Sequence, residues 1–165
     1  MLAEFRRHVS WRGILIAWFV SSTIFLFIIG LIMPLGLSLS TETVLRYFGA
    51  LILGTGVLTE QALLPVLVGI VVHYVLAGIF SLLLIFLLHR WGFWVGVVGG
   101  AVLGAALYSI NLYTLTVFFQ WFFAINNPTL FIGHIIFGAL VGGIYELLDT
   151  YDLPLAKDNR HDASA

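Results

Sequence analysis

Residues 61–88 carry no aspartate, glutamate, lysine or arginine, and nearly every side chain in the run is apolar. An α-helix needs about 20 such residues to cross a hydrocarbon core, so this segment is long enough to span a bilayer. Near its middle stands His73. An ionisable side chain at that depth is costly and calls for a reason, which makes His73 the first candidate for a polar intramembrane site.

The rest of the chain agrees with that setting. It is 61% hydrophobic and 9% charged, with a mean hydropathy of +1.10, whereas soluble domains carry roughly a quarter charged residues. A single integral membrane domain of all-α class follows for 165 residues. Seven lysines and arginines and a net charge of −1 give no clustered basic surface for phosphates, so nucleic acid is not expected as a partner. The absence of cysteine removes disulfides and thiolate chemistry.

Four spans are expected, at about 13–33, 62–88, 91–118 and 129–148, the last opened by Pro128 where a helix start tolerates proline. The first follows a basic stretch with Arg6, Arg7, His8 and Arg12. It is read as a retained helix, because a signal peptide would have an apolar region of roughly 7 to 15 residues and a small-residue cleavage site. Between the first two spans, residues 44–58 are apolar but interrupted by Gly49, Gly54 and Gly56 and carry Arg46. That stretch is too short to cross and is expected to lie in the interface or to re-enter the membrane. With both termini cytoplasmic, Arg6, Arg7, Arg12, Arg90, Lys157 and Arg160 face inward and Arg46 alone faces out, in accord with the positive-inside rule. Trp11, Trp91, Trp94 and Trp121 fall near span ends, where amphipathic rings prefer to sit. The tail 149–165 is expected to be cytoplasmic, solvated and partly disordered.

Residues four apart lie nearly above one another on a helix, and small ones let backbones approach. The third span carries Gly92, Gly96, Gly100 and Gly104 in such a row, which continues to Tyr108 with Asn111 close by. The fourth presents His134, Gly138, Gly142 and Glu146, and the second Gly69, His73, Ala77 and Ser81. The glycines, Gly92, Gly96, Gly100, Gly104, Gly138 and Gly142, are expected to serve helix packing. Both membrane histidines lie on small-residue stripes and should therefore face other helices. At about 1.5 Å per residue, His73 lies about 16 Å below the outer surface and His134 about 8 Å. Tyr108 and Asn111 come near the depth of His134. These four residues form the candidate polar site, while Glu146, near the cytoplasmic end of its helix, is expected to be a solvated boundary charge.

Three roles are open to the histidines. A neutral imidazole that hydrogen-bonds a neighbour and pins packing contributes about 1–2 kcal/mol or less. A proton-accepting or ligand-contacting role is the second. Axial ligation of a b-type haem by His73 and His134 is the third, set back by a difference in depth of about 8 Å. No HExxH, GxSxG or P-loop motif is present, and the carboxylates lie at or beyond the span ends. No enzymatic activity, no catalytic residue and no metal site are expected.

The run His73 to Phe80, the glycine-rich segment from Trp94, and Phe131-Ile132-Gly133-His134-Ile135-Ile136-Phe137 with Glu146 beyond resemble the bacterial YagU-like inner-membrane proteins. Similar arrangements occur in small proteins labelled sodium:proline symporter-like. The likeness covers the last three spans. It implies a polytopic inner-membrane protein loosely associated with acid tolerance, with His73 and His134 as the positions of interest and no catalytic residue carried over. Together these features lead to a four-helix membrane bundle in the inner membrane. Its expected role is structural or accessory, packing through glycine faces in the lipid bilayer, as a homo-oligomer or beside a larger complex. A small transporter or proton-conducting unit using His73 is the alternative, and the haem protein the lesser one.

Overall fold

A computed structural model describes residues 10–89 and 91–161, and all regular structure among them is helical. Arg6, Arg7 and Arg90, expected on the cytoplasmic side, and His8 of the same basic stretch lie outside the described residues. Among the described residues, four helices are long and apolar enough to cross a membrane. We label the long helices α1 (Trp11–Leu37), α3 (Leu63–Leu88), α4 (Phe93–Phe118) and α5 (Pro128–His161), and the short helix between the first two α2 (Thr41–Leu53).

Helix α1 begins at Ser10, whose hydroxyl accepts the Gly13 N–H at 3.0 Å, satisfying one of the orphan donors of a helix start. It outruns the expected end at Met33, but its winding loosens to a π-turn over Ile28–Ile32. Pro34, just beyond, has no N–H to return to the carbonyl of Gly30 and its ring crowds that turn, which is the usual origin of such a bulge. The helix stops at Ser38, held at φ 54°.

The stretch expected to be interfacial or re-entrant is mostly helix α2, capped by Ser40 through the Thr43 N–H at 3.1 Å and followed by a 3-10 turn over Thr55–Leu58. Its 13 residues reach about 20 Å at 1.5 Å per residue, short of a span of about 30 Å. Gly49 does not interrupt it. Gly49 and Gly69 instead let α2 lie against the first turns of α3: a methyl group on Gly69 would strike the Leu45 carbonyl, and one on Gly49 the Pro65 carbonyl. Gly54 ends the helix at φ 84°, a conformation glycine adopts without the usual steric cost.

The long helices run up and down. Ser22 of α1 meets His73 of α3, and Trp18, nearer the start of α1, meets Tyr74 and Gly78 further along α3. Tyr145 of α5 lies against Gly13, and Asn127, just before α5, reaches the Met33 carbonyl, so α1 and α5 are also antiparallel. The closest pairing is α4 with α5. There the two glycine rows face each other: Gly96 opposes Gly142, Gly100 opposes Gly138, and Gly104 rests on the His134 carbonyl. By contrast α3 and α4, consecutive in the chain, barely touch. The core follows the α1–α5 contact, through Ile14, Ala17, Phe25, Phe137, Val141 and Tyr145.

Two expectations need correction. Gly92 is no packing glycine: it precedes α4 at φ 87° with nothing near its missing side chain, because the row loses its helical geometry where the helix begins. The tail does not leave the helix at Asp149, since α5 continues to His161; no glycine follows Gly143 to end it, and glycine is the commonest helix terminator. Residues 162–165 lie outside the described residues.

Candidate functional site

Because α3 and α4 stand apart, a cavity of about 140 Å³ remains between α3, α4 and α5. His73, His134, Tyr108 and Asn111 all line it. The row arithmetic brings them there: His73 stands four residues above Ala77 on α3, and Tyr108 continues the glycine row of α4 beyond Gly104. The cavity lies toward the end of the bundle opposite Trp11 and Asp149, called here the distal end. Phe48 of α2 and Phe122 of the 3-10 turn Gln120–Ile125 close it there, their rings edge to face at 5.6 Å.

Each histidine is oriented by a backbone carbonyl. The His73 ring, 3% exposed, donates from Nε2 to the Ser22 carbonyl of α1 at 2.9 Å. Since a carbonyl only accepts, the proton is on Nε2, and in the uncharged ring Nδ1 is left as an acceptor. His134 is the mirror case. Its Nδ1 donates to the Leu130 carbonyl one turn back at 2.8 Å, leaving Nε2 with the lone pair. Phe25 of α1 joins the two, with its ring 5.5 Å from His73 and 4.7 Å from His134.

Tyr108 packs its ring edge-on against His134 at 5.6 Å and donates its hydroxyl to Asn126 Oδ1, which ties α4 to the loop before α5. Asn127 next to it caps α5, accepting the Leu130 N–H at 2.8 Å. Asn111 makes no side-chain hydrogen bond among the described residues. Among the described residues the remaining lining is aliphatic and aromatic, with no carboxylate, lysine or arginine.

A haem clamped by His73 and His134 does not fit this arrangement. Phe25 packs on both rings, and about 140 Å³ is well below the roughly 300–1,000 Å³ of pockets for drug-sized ligands, which a haem exceeds. Among the described residues, no group of three or more metal-ligating side chains lies together.

Glu146 is not the solvated charge expected. It is 4% exposed and accepts the Gly92 N–H at 3.1 Å, one of the donors left over at the start of α4. A carboxylate on α5 thereby caps the helix beside it. Arg46 is likewise buried, at 7% exposure, and bonded at 2.9 Å to Glu42 one turn earlier.

Phe25, Phe48 and Phe122 shape the cavity and Asn126 anchors Tyr108, yet none of these was among the sequence candidates. For Phe48 a signal exists: Val44, Leu45 and Phe48 recur at helical spacing between the exposed Glu42 and Ile52, the mark of a helix with one buried face. Compared with protein-family models, curated proteins and solved structures, the chain matches none.

Proposed function

We propose that this chain is a multi-pass inner-membrane protein, both termini cytoplasmic, that acts without catalysis as an accessory protein holding a small molecule in its distal half. The observation that carries this is the convergence of His73, Tyr108, Asn111 and His134, from three helices, on one otherwise apolar cavity. A mainly apolar hollow with a few convergent polar groups is the common form of a ligand site. The glycine contacts between α4 and α5 support the same reading, because they fix two of its walls. Four apolar helices of spanning length support the membrane setting, and the basic residues flanking the spans support the orientation. Outward-facing Val98, Val102 and Ile110 of α4 suit lipid or a second copy of the chain.

A proton-conducting unit is the second reading, favoured by the presence of two histidines on one cavity. Against it, the buried side chains of Phe48, Phe122 and Leu130 line the distal end with apolar groups.

Reconstitution separates the two. The purified protein in liposomes is expected to pass no protons beyond the empty-liposome rate, while a single-ring aromatic probe raises its melting temperature, by an amount equal to about 2.7 kcal/mol at a hundred times Kd. Leu107→Trp, which fills the cavity, should abolish that rise. Proton flux that disappears in His73→Phe would replace the binding reading with conduction.

A further inference from the structure

Building on the binding role proposed above, we infer that the cavity takes an uncharged six-membered ring bearing a hydroxyl group, as a free phenol or as the head of a ring-headed membrane lipid such as a quinol. Size sets the first limit. A cavity of about 140 Å³ is close to the roughly 150 Å³ apolar cavity that holds benzene in an engineered protein core. Phe25, Phe48, Phe80, Phe122 and Phe137 surround it, offering the edges and faces against which aromatic guests pack.

Charge sets the second limit. With no Asp or Glu among the described lining residues, an ammonium group would enter without a counter-ion; with no Lys or Arg among them, a carboxylate would do the same. Either would bear the full desolvation cost of a buried unpaired charge. The guest is therefore neutral.

Hydrogen bonding sets the third. Both histidines spend their N–H on backbone carbonyls, His73 on Ser22 and His134 on Leu130, so the imidazoles have only lone pairs left to offer. The complement of a lone pair is a donor. A hydroxyl on the ring supplies it, and the same oxygen can accept from the Asn111 amide, whose side chain has no other partner among the described residues. A hydrocarbon ring of equal size would leave these groups unsatisfied.

The route is lateral. The distal end is closed, whereas α3 and α4 scarcely meet, and Leu76, Phe80, Leu107 and Leu115 along that gap are only partly buried. A ring can enter there from the bilayer, and a lipid tail can trail out.

The test uses the full chain in phospholipid nanodiscs, with probes compared at equal mole fraction in the bilayer. Phenol is expected to bind about ten-fold more tightly than toluene, the difference one good hydrogen bond makes. His134→Phe should erase that preference while toluene still binds. Should His134→Phe not fold, the imidazole ¹⁵N resonances of the native protein decide: phenol moves the lone-pair nitrogen of His73 or His134, and toluene does not. Toluene binding as tightly as phenol, or benzylamine outcompeting both, overturns the hydroxylated-ring class while leaving the binding reading intact. Binding of none of the three overturns both. A hydroquinone carrying an isoprenoid tail that outbinds the bare ring supports the lipid source; equal binding supports free phenols.

Discussion

Gly100 of α4 and Gly138 of α5 oppose each other so closely that a methyl group on either would strike the other's carbonyl oxygen. Gly96 with Gly142 repeats the relation one turn along. In lipid, where apolar side chains gain nothing from leaving water, such backbone contact is a main source of helix association. Gly100→Ala is therefore expected to destabilise the bundle by about 1–3 kcal/mol, the usual cost of overpacking, and Gly100→Leu to separate α4 from α5. Melting in mild detergent measures the first, and the loss of a disulfide engineered between α4 and α5 the second.

Gly54 and Gly56 provide an internal contrast. Neither has an atom within 4 Å of the position a side chain would take, but Gly54 alone is held at φ 84°. Gly54→Ala should cost about 1–3 kcal/mol, the strain of a positive-φ, extended-ψ backbone that is almost confined to glycine, whereas Gly56→Ala should change stability by less than about 0.5 kcal/mol, as surface substitutions do. Equal melting temperatures for the two variants would contradict the backbone conformation assigned to Gly54.

The carboxylate of Glu146 accepts the Gly92 N–H from the turn before α4, placing negative charge where the helix dipole favours it. Glu146→Gln keeps an acceptor oxygen and loses the charge; Glu146→Leu loses both. Expected losses are about 0.3–1 kcal/mol for the first and about 0.5–2 kcal/mol for the second. Thermal unfolding of both variants checks the order, and a more stable Glu146→Leu would exclude the cap.

These relations differ in how far the sequence discloses them. A spacing of four survives any arrangement of neighbours, so Gly96, Gly100, Gly104, Gly138 and Gly142 announce their packing face directly. The same rows carry His73, His134 and Tyr108 to one side of their helices, and counting along them puts Tyr108 near the depth of His134 but His73 about 8 Å deeper, so the faces foresee a cluster more plainly than the depths do. Gly92 stands in register with the row but outside the helix, and only the backbone dihedral separates it from Gly96. The role of Phe25 is hidden for another reason. With 14 phenylalanines in the chain and lipid as solvent, apolar residues occur on every face, so hydrophobic periodicity no longer tells inside from outside. The position of α2 depends on Gly49 meeting Gly69, a contact between segments that no local pattern in either reveals.

Whether α2 re-enters the membrane can be read by labelling, because the chain has no cysteine of its own. Thr59 follows the 3-10 turn beyond α2 and is exposed, while Val44 is fully buried near the start of α2. With the α2–α3 link on the outer side, Thr59→Cys should react in intact cells with a membrane-impermeant maleimide. Val44→Cys should react only after denaturation. Ile52 and Glu42 are exposed on the free side of α2, so the two remaining single cysteines decide between lying on the surface and dipping below it. Equal labelling of both places α2 flat in the interface; labelling of Ile52→Cys with protection of Glu42→Cys shows its first turn held beneath the headgroups, at the depth where Phe48 closes the histidine cavity.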